Sequence, residues 1–197
     1  MTATQVRTQQ GRPRDPAIDD AILTATIEIL SEDGYRHLST TEVARRAGVH
    51  KPAVYRRWPT KLELALAAVR RLAPPLTDPD TGDVRADLVD LLLQAAQAKS
   101  NRPSIDLSAR LRSDFTTEPE LAEAVRQTVI NPRRATTRAV IERGQRAGQL
   151  RCSVSPDVAI DLLFGSIHSR SFRVGTPLTR AEAKKLVDTL LAGIGAD

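Results

Sequence analysis

Seven basic side chains, Arg36, Arg45, Arg46, Lys51, Arg56, Arg57 and Lys61, fall within residues 34–61, against the single acid Glu42. A local charge of +6 over 28 residues is the footprint of a surface that meets a polyanion, although a merely solvated basic face has the same composition. The same stretch holds groups suited to phosphate and base edges. A hydroxyl at a helix start, as at Thr40 and Thr41, and a phenol, as at Tyr55, are ordinary phosphate donors. Arginine pairs with guanine through two hydrogen bonds, and lysine reaches the same acceptors.

Other chemistries find little support. The chain has no phosphate-cradling glycine loop, no dinucleotide fingerprint and no nucleophile elbow, so no catalytic residues are assigned and no enzyme activity is expected. His37, His50, His168 and Cys152 have no ligand spacing, so neither a metal nor any other cofactor is expected. The single cysteine cannot form an internal disulfide, which fits a reducing, cytoplasmic setting. No run of 18 apolar residues and no apolar signal region occur, so neither a membrane partner nor secretion is expected.

The elements that must carry the basic cluster are helical. Residues 1–14 read as a flexible basic arm containing Arg12 and Arg14. Asp15-Pro16 is a helix start, and Ile18, Ile22, Ala25 and Ile29 form its apolar face up to Gly34. Ser39 and Glu42 have capping-box spacing at the start of a short helix that ends at Gly48. A further helix begins near Lys51 and stops at Pro59; Trp58 fits its core side. Thr60 and Glu63 cap the next helix. Helix, glycine turn and helix over residues 39–58 make a helix-turn-helix, whose second helix enters the major groove.

Residues 74–82, with three prolines, break the chain between a DNA-binding domain at 15–73 and a second domain at 83–197. Beyond the break, apolar positions again recur at helical spacing. Thr117 with Glu120 and Thr179 with Glu182 have the spacing of helix starts, and a helix is interrupted near Pro132. The expected fold is all-α, with about nine helices.

The stretch AIDDAILTATIEILSEDGYRHLSTTEVARRAGVHKPAVYRRWPTKLELALAAV resembles the DNA-binding domain of tetracycline-repressor (TetR) family regulators. SPDVAIDLLFGSIHSR and TRAEAKKLVDTLLAGI resemble the closing helices of the family's ligand-binding and dimerisation region. The resemblance implies a three-helix helix-turn-helix domain followed by a helical ligand domain. It assigns Thr40 and Thr41 to phosphate and a nearby base edge, and Lys51, Pro52 and Ala53 to base reading. Tyr55 and Lys61 fall to phosphate, and Arg57 to the groove. Arg56 faces either phosphate or solvent. His50 stands where many members have a capping Ser or Thr, which leaves its role open.

The implied protein is a dimeric repressor (activation remains an alternative) released from a pseudo-palindromic duplex operator by a small molecule. Leu91, Leu107, Leu111, Phe115, Phe164, His168 and Phe172 are candidate ligand contacts, with core or dimer packing as the plainer alternative. The apolar faces of 158–172 and 183–194 suit a homodimer through the last two long helices.

Overall fold

The computed structural model describes residues 15–97, 102–174 and 177–194, without the side chains of 102–106, 171, 172, 174 and 194. The arm with Arg12 and Arg14 lies outside the described residues. Ten α segments follow one another: α1 (Pro16–Glu32), α2 (Thr40–Arg46), α3 (Lys51–Tyr55), α4 (Lys61–Leu72), α5 (Val84–Gln97), α6 (Arg102–Thr117), α7 (Pro119–Val125), α8 (Asn131–Arg146), α9 (Pro156–Val174) and α10 (Arg180–Ile194). A 3-10 turn, Tyr35–His37, sits between α1 and α2. The fold is all-α.

Local chemistry explains several helix starts. The Asp15 carboxylate accepts the Ala17 amide at 3.0 Å, with Pro16 opening α1. At α4 both halves of a capping box form: Glu63 N donates to Thr60 Oγ1 at 3.1 Å, and Thr60 N to Glu63 Oε2 at 3.1 Å. Thr179 and Glu182 do the same ahead of α10. Two expected caps do not form. The Ser39 side chain makes no capping bond, and the Glu42 carboxylate, taken by Arg45 and Arg46, does not reach back to the Ser39 amide. Thr117 is the last residue of α6 and donates to the Asp114 carbonyl, so α7 starts at Pro119 without a side-chain cap.

The expected interruption near Pro132 takes the form of a π turn, not a break in the chain of helical turns. α7 passes into α8 through a π turn, Arg126–Ile130, and Pro132, which has no N–H to give to the turn before it, follows directly in the first turn of α8. Counted as one rod, α7 and α8 bring the described helices to nine.

Two apolar cores hold the chain. The first joins α1–α4 through Ile22, Leu30, Val43, Val54 and Leu64, but also includes Leu107 and Leu111 of α6 and Leu121 and Val125 of α7. The second gathers α5, α8, α9 and α10 around Leu88, Leu91, Ile141, Ile160 and Val187. Packing therefore divides the molecule differently from the 74–82 break, since α6 and α7 share the core of the N-terminal helices.

The break itself is tied down. Arg143 of α8 holds both Asp78 oxygens at 2.7 and 2.9 Å, and reaches Asp80 at 3.1 Å and buried Asp87 at 3.2 Å. Thr81 donates to the same Asp87 through its amide and hydroxyl, at 3.1 and 2.6 Å. No described helix is long and apolar enough to cross a membrane.

Candidate nucleic-acid interface and adjoining cavity

α2 and α3 are held together by buried Val43, Ala44 and Val54, with Ala47, Val49 and Trp58 packed against that core. Gly48 makes the turn between them at φ +64, a conformation open to glycine. A Cβ there would meet no atom within 4 Å, so backbone conformation alone demands the glycine. Val54 faces inward, which leaves Lys51, Pro52, Tyr55 and Arg56 exposed and Ala53 half-exposed. Thr41 is exposed and Thr40 half-buried at the start of α2. His50 precedes α3 without capping it.

On this face the Lys51 ammonium lies 5.5 Å from the centre of the Tyr55 ring, within cation–π range. Lys61 donates to the Arg36 carbonyl at 2.9 Å and stands 4.5 Å from the Tyr35 ring. Partial burial lowers its pKa below the ordinary lysine value.

The basic cluster is less free than its composition implies. Glu42 binds Arg45 and Arg46, whose guanidinium groups hold its carboxyl down to about 2. Arg46 also pairs with Glu32 at 2.7 Å. Arg57 departs most from expectation: its side chain is 5% exposed, paired with Asp19 of α1, and donates to the Ala53 carbonyl at 3.1 Å. Because neutralising Asp19 and capping its own helix occupy the guanidinium, Arg57 ties α3 to α1 and does not project as a groove contact. Lys51, Arg56 and Arg36 remain exposed without an ion pair in the described structure.

A cavity of about 480 Å³ opens between the two cores. Val69 and Leu72 of α4 with Ala73 just beyond it form one wall, and Leu107, Ser108, Leu111, Arg112 and Phe115 of α6 another. Phe164, Gly165, Ile167 and His168 of α9 close it, with Arg133 and Arg134 of α8. Five of the expected contacts, Leu107, Leu111, Phe115, Phe164 and His168, thus meet around one space. Leu91 does not line it; fully buried on α5, it belongs to the second core. The side chain of Phe172 lies outside the described residues. The α4 wall, Arg133 and Arg134 were not among the sequence candidates. A helix assigned to DNA binding gives no sign of a second, cavity-facing side, and arginines between polar residues read as solvated.

The face of α6 away from the cavity grips the turn after α1. Asp114 Oδ2 accepts the Tyr35 amide at 2.9 Å, and Arg110 donates to the Asp33 carbonyl at 2.8 Å. Between them lies Gly34 at φ +81, where a Cβ would sit 2.4 Å from Arg110 Nε.

Residues 22–68 match the family of bacterial regulatory proteins of the tetR type, and residues 78–190 match the tetracyclin repressor-like C-terminal domain. An HTH-type transcriptional regulator of Bacillus subtilis, YdeS, is 29% identical over 97% of this chain and 96% of its own. A DNA-binding transcriptional repressor of Mycobacteroides abscessus, TetR, is 30% identical over 87% and 90%. Among solved structures, a TetR family transcription regulator is 33% identical and superposes with a TM-score of 0.61 over 89% of this chain and 97% of its own. Another from Pseudomonas syringae pv. tomato is 25% identical, with a TM-score of 0.68 over 93% and 99%.

Proposed function

The chain belongs to the tetR family of bacterial regulatory proteins, and from that premise we propose that it is a repressor released from its operator by a small molecule in the α4–α6–α9 cavity. It is a DNA-binding transcriptional regulator and not an enzyme, and regulators of its family dimerise on DNA operators.

The observation that carries the DNA reading is the exposed α3 face on a fully buried Val43–Val54 scaffold. Lys51, Pro52, Ala53 and Arg56 contact base edges or the adjacent backbone, while Thr40, Thr41, Tyr55 and Lys61 hold phosphate. The two α3 helices of a dimer then read the half-sites of a pseudo-palindrome.

α9 supports an interface. Val158 and Leu162 are 54% and 57% exposed, and with Gly165 and Ser169 they follow helical spacing along one uncovered edge. We assign the dimer contact to this edge together with α10.

Release follows from α6, which lines the cavity on one side and holds Gly34–Tyr35 on the other. A ligand that displaces α6 moves the turn on which Lys61 leans, and operator and ligand oppose each other reciprocally. Selection from random duplexes tests the DNA reading: a recurring palindrome supports it, and the absence of any preferred sequence overturns it.

A further inference from the structure

The cavity wall is mainly apolar, with Ser108, His168 and four charged side chains, Arg112, Arg133, Arg134 and Asp161, among its lining. Charge there is unbalanced. Asp161 is taken by Arg134 at 2.5 Å, and Arg134 also reaches Asp157 at 3.1 Å, where Arg138 joins it. Arg133 differs. It is half-buried, its guanidinium donates to the Pro74 carbonyl, and no described carboxylate lies within ion-pair distance. Burial lowers its pKa, with no acid acting in the other direction. Arg112, also in the lining, is exposed and likewise has no acid partner among the described residues.

An apolar ligand filling this space would strip water from an uncompensated guanidinium, which is unfavourable. An anion on the ligand reverses the sign, because a carboxylate or sulfonate accepts two parallel N–H bonds from a single arginine. We propose that the cavity takes small molecules with an apolar body and one anionic group, the anion seated on Arg133 with Arg112 beside it. The inference rests on the reading of the cavity as the effector site. Arg133 also holds Pro74, two residues beyond the end of α4, so the anion sits next to the segment leaving the DNA-binding helices.

Two fluorophores with the same rings separate the contributions: 8-anilinonaphthalene-1-sulfonate and uncharged N-phenyl-1-naphthylamine. The full-length wild-type protein should bind the sulfonate at least about tenfold more tightly than the neutral probe. Arg133→Met should bring that ratio close to one by weakening the sulfonate and strengthening the neutral probe, and Arg133→Lys should retain part of it. Decanoate should displace both probes better than decan-1-ol does. An unchanged ratio in Arg133→Met overturns the anion assignment and leaves the cavity reading standing. If neither probe binds, or if filling the space with Ser108→Phe alters neither affinity, the cavity reading falls and the anion assignment with it.

Discussion

Asp114 on α6 accepts the backbone amide of Tyr35, 2.9 Å away and 79 positions distant in the chain. Asp114 is itself buried, and Arg110 lies 3.8 Å from its other oxygen. One carboxylate thus joins a helix of the cavity to the turn beneath Lys61. Asp114→Ala leaves the Tyr35 amide without its acceptor and should cost about 1–3 kcal/mol in thermal or urea denaturation. It should also shrink the loss of operator affinity caused by a bound ligand, read by fluorescence anisotropy. Asp114→Asn keeps an acceptor and should lie closer to wild type. Wild-type stability and undiminished release in Asp114→Ala would remove this link from the coupling.

Arg57 and Lys51 should separate stability from recognition. Arg57→Ala breaks a nearly buried ion pair to Asp19 and should lower stability by about 1–3 kcal/mol while leaving base preference unchanged. Lys51→Ala should do the reverse, relaxing preference at one position per half-site by about 1–3 kcal/mol. Lys61→Ala should weaken all duplexes alike and reduce the salt slope by about one. Altered base preference in Arg57→Ala, measured on a panel of operator variants, would return that residue to the groove.

These residues also show what the sequence could reveal. Caps at Thr60 and Thr179 were legible because both partners of each box lie three residues apart. The Ser39 box failed through competition on the same helix, where two arginines at i+3 and i+4 outbid a backbone amide for Glu42. The resemblance carried Arg57 to the groove by its place one turn beyond Ala53, whereas its partner lies 38 positions away on another helix. Five cavity residues were found from apolar spacing on α6 and α9. Leu91 was misplaced because a helix apolar on several sides does not reveal which side meets empty space.

The α9 edge should be necessary for assembly. Leu162→Asp puts a charge on an exposed position and leaves the monomer's core intact. Light scattering should find the wild type at twice 21.5 kDa and the variant at 21.5 kDa. A variant that stays dimeric would place the interface elsewhere.

Arg143 should matter to stability in a pH-dependent way. Arg143→Met strips buried Asp87 of its counter-ion and should cost about 3 kcal/mol near neutral pH. Hydrogen bonding from Arg143 holds the Asp78 carboxyl below its ordinary range. A depressed folded pKa means stabilisation that is complete above the unfolded value of about 3.9 and lost as pH falls through the folded one. Acid unfolding profiles should therefore show a smaller stability loss below about pH 4 in Arg143→Met than in wild type. Equal losses would show that this ion pair contributes nothing to acid sensitivity.

The π turn at Arg126–Ile130 bears on how such a cavity can diversify. A π turn takes in about one residue more than an α turn, and one residue turns an α-helix by roughly 100°. Val125, Val129 and Ile130 line the cavity across this turn, and Arg133 and Arg134 follow it. Deleting one residue here would take the extra residue out of the π turn and restore regular winding, with Arg133 and the buried Val140 and Ile141 downstream kept on their present faces. The Pro119–Arg146 rod thus contains a point where a single-codon deletion reshapes the wall at Val129 and Ile130 while α8 keeps its packing, a shorter evolutionary route to a new inducer than successive substitutions along the wall.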